Sequence, residues 1–504
     1  MALLKQILLV LFITEFSLVM AQELYHDLTL EKKSVVILSS QNDKDPESVT
    51  RRITNIVSSK AVELGRFNII DRTHIESILS EQKLQLSGIV DEDQIVEIGN
   101  MAAADEAILV KIITFGQRGV PPKKKPLEKD EEENEYDDNL LEWIIKESVS
   151  AVIDKKLEDV ERHPNNIQTI IQAEVRLLNI ESGSSKNSFR ISATYTGGNK
   201  TSSLNRALNK LDWQVGRNLR EFYMIASEVI EKNGNDITIL TGNDMGLEEG
   251  TIFEVNSPGR EKKYKDRSVT LPGKPRALAI LTKIGKNTSR ARIVRQWKKV
   301  KEGHRANEMI YDPTTTDLAI KINGHPVLNL TGNLWLNPFK KIAGSLTGQI
   351  GFLKDTRKEN NIFYGLGWEA KMNVVDRGKF QLAIGTHLPL NFTTRPDDES
   401  NLVRLVFFNP SIDLTGSLIL QRKNDVFIGL HYVTNDNIIN DWYYSETEEK
   451  EDGTEETEYY EAIWDPTKGP PQLNTSGFYI SFGLSLIHIS EPTRPERIGY
   501  AGVG

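Results

Sequence analysis

Eight histidines (His26, His74, His163, His304, His325, His387, His431 and His488) are the first residues to weigh for chemistry. Imidazole is the common general base and metal ligand near neutral pH. None of the eight stands at ligand spacing from another, and there is no H-E-x-x-H, no P-loop and no G-x-S-x-G elbow. The chain has no cysteine, which excludes disulfides, thiolate zinc sites and cysteine nucleophiles. Carboxylates abound but no pair is set by spacing. The formal charge of −9 hides two acidic tracts, EKDEEENEYDD (128–138, −7) and ETEEKEDGTEETEYYE (446–461, −8), outside which the chain is net positive by about 6. Runs of this kind read as solvated loops, with cation binding the minor alternative. The residue types therefore predict no catalysis, no cofactor, no metal site and no small-molecule substrate.

With 504 residues the chain is long enough for about three domains. Its start reads as an address. Lys5 precedes the apolar run ILLVLFIT (7–14), and Val19 and Ala21 fit the small-residue positions before a cut between Ala21 and Gln22. The run falls short of the roughly 20 residues a spanning helix needs, so residues 1–21 read as a signal peptide. No cysteine follows to carry a lipid. The mature chain is expected in the periplasm of a bacterium with two membranes, or outside the cell. At the other end, LSLIHISEPTR (484–494) resembles the translation of a sequencing-library adapter, so residues 484–504 are expected to be a non-native tail.

Residues 22–232 carry alternating strand and helix signals. SVVILSS (34–40) reads as a buried strand. Asp45-Pro46-Glu47 opens a helix, and Val49, Ile53, Ile56, Val57, Ala61 and Leu64 share its apolar face. Gly65 stops that helix in the C′ role, and FNII (67–70) is a short strand. Thr73 and Glu76 form a capping box for a second helix, and a third is expected at 91–103. EAILVKIITF (106–115) reads as a strand, IIQAEVRLLNIES (170–182) and SFRISATYTG (188–197) as a hairpin, and about 201–232 as one long helix. The sum is an α/β layer domain on a mixed sheet.

The wording of this segment, GRFNIIDR (65–72), ILSEQ (78–82), LSG (86–88), IGNMAAADEAILVKIITF (98–115) and QAEVRLLNIESG (172–183), resembles the CsgG family, the curli production assembly/transport component and its relatives. Ala103 stands where the family has glycine. The resemblance covers about 32–230 and implies work with other envelope or secretion proteins, homo-oligomers included. Pores of the family need two amphipathic transmembrane hairpins inserted in this domain. The first would fall within 116–166, where the chain has PPKKK, the first acidic tract and an expected helix (139–161). The second would fall near 194–205, which is short and polar. A charged insertion is expected in place of pore strands, and the domain reads as an interaction module. Arg66, Arg72 and Glu81 are its candidate interaction surface, against a purely structural role in capping and ion pairing.

Residues 233–312 change to short strands. NDITILTG (235–242), MGLEEGTIFEVNS (245–257) and RALAILTKIGKNTSRARIV (276–294) resemble the small SH3-like C-terminal domain of the flagellar assembly protein T family. Lys298, Lys299, Lys301 and Arg305 form a candidate basic rim, either plainly solvated or a seat for a polyanionic envelope polymer. Nucleic acid is not an expected partner in the periplasm.

Residues 313–483 alternate apolar and polar with period two through eight segments: 316–322, 327–336, 342–352, 362–374, 380–390, 412–420, 426–432 and 478–482. These lengths suit tilted strands across a bilayer. Short connections (337–341, 375–379, 421–425) alternate with long ones (354–361, 392–402, 434–475), as periplasmic turns alternate with outer loops. Alternation alone does not say which face is inside. The non-apolar face is rich in Gly, Ser, Thr, Asn and Gln and poor in charge, which suits a filled lumen better than a watery exterior. An outer-membrane β-barrel is expected, with Glu369 and Lys371 pointing inward. The leading function is a non-enzymatic envelope protein that supports assembly or secretion of a surface structure at the outer membrane. The alternatives are a CsgG-type oligomeric export channel and a soluble periplasmic binding module whose barrel holds a ligand.

Overall fold

SVVILSS lies in β1 (Lys33–Ser40), buried on both faces as its unbroken apolar run requires. The computed structural model describes residues 28–40, 47–70, 103–121, 163–265, 267–310, 313–323, 328–336, 339–434, 442–449 and 455–488. The expected signal peptide with Ala21 and Gln22, the helices expected after Thr73 and from residue 91, that at 139–161, Arg72, Glu81 and everything after His488 lie outside the described residues. The chain divides into two compact units, one built on Glu31–Met224 and the other from Ile225 onward, with Asp244–Gly246 counted with the first.

In the first unit β1 pairs in parallel with β2 (Phe67–Ile70) and β3 (Glu106–Gly119). Antiparallel pairing then adds β4 (Ile167–Asn179) and β5 (Ser185–Thr196), giving the mixed order β2-β1-β3-β4-β5. Helices α1 (Glu47–Leu64) and α2 (Lys200–Phe222) share one core with this sheet. Val49, Ile53, Val57 and Ala61 come from α1, and Ala207, Leu208, Leu211, Val215 and Leu219 from α2. The α1 set recurs at helical spacing, so one stripe is buried and the other face stays wet. Asn199 caps α2 by accepting from Ser202 N at 2.9 Å. Gly65 ends α1 at φ +66°, a conformation that costs L-residues strain.

The helix expected to run to residue 232 is corrected. It stops at Phe222, and Ala226–Asn233 is a strand, β6. Ala226, Ser227 and Val229 are buried where β6 pairs with its neighbours, and Gly234 at φ +58° turns the chain into β7 (Asp236–Ile239). β8 (Ile252–Asn256), the hairpin β9 (Arg260–Tyr264) with β10 (Arg267–Leu271), β11 (Pro275–Ile284), β12 (Ser289–Gln296) and β13 (Arg305–Glu308) follow. Six of these close a small barrel in the order β11-β12-β7-β6-β13-β8, and β9–β10 stands apart as a two-stranded ribbon. Its interior is apolar, with Val229, Ile237, Ile239, Phe253, Val255, Leu281 and Ile293 buried.

The remaining strands are β14 (Thr314–Asn323), β15 (Leu328–Leu336), β16 (Ile342–Lys354), β17 (Asn360–Arg377), β18 (Phe380–Pro396), β19 (Leu402–Phe408), β20 (Ser411–Ile419), β21 (Asn424–Val433), β22 (Tyr443–Glu449), β23 (Glu455–Glu461) and β24 (Gly477–His488). Eight of them, β14-β15-β16-β17-β18-β20-β21-β24, form a ring closed by the β24–β14 and β17–β18 ladders. These are the eight strands that period two picks out. The long connections carry additional structure that alternation did not disclose: β18 runs on to pair with β19, and the β22–β23 hairpin attaches to it. Leu484–His488, at the head of the adapter-like sequence, pair within β24 with β14, and Leu484–Leu486 also with β21.

Candidate functional site

The orientation of the large barrel is the feature on which function turns. Its apolar side chains point outward: Leu366 is 72% exposed, Ile412 66% and Phe478 77%, in company with Ile320, Leu346, Tyr364, Trp368, Ile384, Leu388, Leu414, Ile428, Leu430, Ile480 and Phe482. Its polar side chains point inward, and Asp317, Lys321, Ser345, Thr347, Gln349, His387, Asn391, Asp413, His431 and Ser481 are all buried. A barrel stable in water has the reverse polarity. An apolar belt this continuous is far larger than the patches soluble monomers expose, and closure leaves no unpaired strand edge among the ring's ladders.

The lumen is a packed polar network. Trp335, fully buried, donates from Nε1 to Asp317 Oδ2 at 2.6 Å, and Lys371 Nζ lies 3.6 Å from that oxygen and 3.6 Å above the Trp335 ring. His387 Nε2 lies 2.9 Å from Thr347 Oγ1, and its Nδ1 is 3.4 Å from Lys321 Nζ. His431 bridges Asp413 Oδ1 (2.6 Å) and Ser481 Oγ (2.7 Å), and Ser411 donates to the same Asp413 oxygen at 2.7 Å. Gln349, Asn391 and Asn409 continue the chain of hydrogen bonds. Glu369 and Lys371 are the inward pair that alternation places there, and Glu369 is half-buried. The cavity beside Lys321, His387 and Tyr479 holds only ≈ 20 Å³, room for about one water molecule. An eight-stranded ring is just wide enough for its own side chains to fill, and this cavity is too small for a ligand of ordinary size.

Both mouths are covered. At the long-loop end, Leu353, Phe363, Val403, Leu405, Phe407, Trp442, Leu473 and Tyr479 form an apolar cluster. Trp464 sits beneath two guanidiniums, Arg357 at 4.8 Å and Arg395 at 5.5 Å from its ring centre. At the short-turn end the six-stranded barrel docks. Arg295 of β12 is buried and forks onto Asp425, donating from Nη2 to Oδ1 at 2.6 Å and from Nη1 to Oδ2, and it also donates to Gln421 O at 2.8 Å. Arg422 forks onto Glu254 at 2.7 and 3.1 Å. Leu278 and Trp297 pack with Ile419 and Ile487.

The predicted site residues separate on the structure. Arg66 is corrected from a surface position: it is 4% exposed and donates from Nη1 to Tyr223 O at 2.8 Å. Phe67, the next residue, packs on the Tyr223 ring at 4.6 Å. Tyr223 in turn donates its hydroxyl to Glu106 Oε2 at 2.9 Å, while Lys33 (2.9 Å) and Lys186 (2.6 Å) reach Oε1. Burial pushes the Glu106 carboxyl up, but these three hydrogen bonds outweigh it and hold the carboxyl below its usual range. Burial and the neighbouring Glu106 charge raise the Tyr223 phenol. This cluster ties β1, β3, β5 and the residue after α2 together. Its sequence signal was faint, because its members lie up to 190 residues apart.

Of the basic rim, Lys299 and Lys301 line a cavity of ≈ 730 Å³ in the six-stranded barrel, and Lys298 and Arg305 do not. Arg305 faces Glu228 at 3.8 Å. The other basic lining residues, Arg260, Lys274, Arg276 and His304, were not foreseen. Strand pairing of β11 with β8 and β12 assembles them, and no local motif marks that. His304 accepts from Lys301 N through Nδ1 at 3.2 Å. Burial first, then Arg276 and Lys301, holds its imidazole below the usual value. Among the described residues no group of three or more His, Asp or Glu side chains is gathered to hold a metal ion, and no helix is long and apolar enough to cross a membrane.

Comparison with known proteins gives three findings. No curated protein matches the chain. Solved structures similar to it include the lipoprotein GNA1162 from Neisseria meningitidis (11% identity, 36% of this chain and 97% of that one, TM-score 0.21). The hypothetical protein CT253 from Chlamydia trachomatis is a second (12% identity, 38% and 98%, TM-score 0.21), and at these scores neither supports an argument. Residues 26–119 match the family model for the curli production assembly/transport component CsgG, so the chain carries a CsgG-type domain there.

Proposed function

We propose that this is a non-enzymatic outer-membrane protein that supports the assembly or secretion of a surface structure, with its CsgG-type domain as the interaction module. One observation carries the membrane half: the eight-stranded ring turns its apolar side chains outward and its hydrogen-bonding ones inward. The CsgG family-model domain supports the assembly half. We read the six-stranded barrel as the SH3-like domain and as periplasmic, since it covers the short-turn end and outer-membrane barrels keep their short turns on that side. No strand of the ring lies between the first unit and β6, so both share a compartment in this reading. We take 484–504 as the adapter-derived tail and Ala21–Gln22 as the cleavage point. Export through the large barrel is disfavoured by its filled lumen and covered mouths. A soluble ligand-holding barrel is disfavoured by the apolar exterior.

The test is fractionation with cross-linking. The protein should sediment with the outer membrane, resist carbonate and dissolve in detergent. Cross-linking in intact cells should join residues of the CsgG-type domain to envelope proteins or to a second copy. Release as a soluble periplasmic species contradicts the membrane half; a domain that cross-links to nothing contradicts the assembly half.

A further inference from the structure

The ≈ 730 Å³ cavity of the six-stranded barrel is lined by Arg260, Lys274, Arg276, Lys299, Lys301 and His304, and among the described residues by no carboxylate. Basic side chains this concentrated repel one another unless an anion is present. Arg276 Nε is buried and has no hydrogen-bond partner, and its Nη1 is engaged only weakly, by Lys299 O at 3.4 Å. The Nη groups, so weakly held, are the donors left for a phosphate oxygen at the cavity wall. The ribbon β9–β10, which supplies Arg260, adds Lys262, Lys263 and an exposed Tyr264.

The place of this cavity in the second unit decides what kind of anion it meets. Lys274 and Arg276 flank Pro275, whose carbonyl accepts from Trp297 Nε1 at 2.8 Å. Trp297 itself packs with Ile419 of the large barrel. The cavity thus adjoins the short-turn end of the apolar belt. That same end is ringed by exposed bases in all three short turns: Lys340 and Lys341, Arg377 and Lys379, and Lys423. A belt edge with basic residues beside it is the arrangement that meets anionic headgroups.

We propose that this cavity and its ribbon form a headgroup site for the phosphate of an anionic phospholipid in the leaflet at the short-turn end of the large barrel. The proposal rests on the reading that the barrel spans a membrane. Lys274, Lys299 and Lys301 supply mobile positive charge at the rim, and Arg276 supplies the directed donor within. Occupancy holds the six-stranded barrel against the membrane face and adds to the docking through Arg295 and Asp425.

The experiment uses the full chain, purified in detergent and offered to vesicles of phosphatidylcholine alone or with phosphatidylglycerol. Protease protection of the barrel strands reads insertion, and native mass spectrometry of the re-extracted protein reads retained lipid. The expected result is insertion into both vesicles, with phosphatidylglycerol retained in preference. The triple variant Lys274→Gln/Lys299→Gln/Lys301→Gln should insert as before and lose that preference roughly a hundredfold, at about 1 kcal/mol per charge removed. The corresponding triple Lys→Arg variant should keep it, and inorganic phosphate should not displace the lipid. Failure to insert into either vesicle overturns the membrane reading and the site together. Insertion without lipid preference, or a preference that survives the triple Gln variant, overturns the site alone. So does displacement by inorganic phosphate, which marks a free-anion site. Loss of binding to purified cell-wall polymer in the triple variant, with lipid preference intact, assigns the cavity to the polymer instead.

Discussion

Leu366→Arg separates a membrane belt from a water-facing surface by magnitude. Leu366 is 72% exposed on the outer face of β17 and opposes Gly348 and Leu390 on its neighbours. The outward apolar residues of this strand run from Ile362 to Val374. Taking a rise of ~3.3 Å per residue and a tilt of ~40°, Leu366 lies about 10 Å inside one edge of a belt about 25 Å tall. Arginine at the midplane of a barrel costs about 2–4 kcal/mol and falls towards zero at the interfaces, so the expected cost here is about 2–3 kcal/mol. At an equally exposed site in water the same change stays within about 0.5 kcal/mol. Reversible urea unfolding of the full chain in vesicles, followed by tryptophan fluorescence, reads the difference, with Leu366→Ala as the control for lost side-chain area. A Leu366→Arg protein that unfolds within 0.5 kcal/mol of the parent, by the ~0.5 kcal/mol criterion of a surface site, refutes the reasoning.

Asp425→Asn leaves the buried Arg295 guanidinium without its counter-charge and should destabilise docking of the six-stranded barrel by about 3–5 kcal/mol. The double variant Arg295→Met/Asp425→Leu should recover much of that in the same unfolding assay. Gly65→Val puts a β-branched residue at φ +66° and should cost about 1–2 kcal/mol in a thermal melt of the first unit. The Glu106 carboxyl is held below its ordinary 4.5 and the Lys33 ammonium above its 10.5. Glu106 therefore stabilises above its unfolded value and loses this as pH falls through the lower folded value. Lys33 stabilises below its unfolded value and loses this as pH rises through the higher folded one. The melting temperature of the first unit should be flat between about pH 5 and 10 and fall on both sides, and Glu106→Gln should remove the acid limb.

The elements that obey a local period were legible in the sequence. α1 and all eight ring strands follow from apolar spacing, because the burial that selects them repeats every two or 3.6 residues, and β1 and β2 follow from short apolar runs. Alternation could not tell lumen from exterior; the side-chain chemistry of the inward face could, since serine, threonine and asparagine satisfy one another where lysine and glutamate would need water. Three features were out of reach. β6 was read as helix because its short alternation abuts the strong stripe of α2. The loop strands β19, β22 and β23 owe their pairing to the extension of β18, not to their own pattern. Arg66 sits beside a helix stop, where a charged residue normally faces water, yet its partner is a carbonyl 157 residues on. The basic cavity was half visible for a related reason: Lys299 and Lys301 are near neighbours in sequence, whereas Arg260, Lys274 and Arg276 reach it only through barrel closure.

The outward-apolar orientation of the large barrel is tested most directly by single-cysteine spin labelling, which the cysteine-free chain permits without background. Labels at Tyr364, Leu366 and Trp368, in protein isolated in its native membranes, should be relaxed by oxygen and shielded from a water-soluble nickel reagent. Labels at Asn361, Glu369 and Lys371 should be shielded from oxygen. Nickel access at the first three positions, or no alternation between the two sets, would contradict the account.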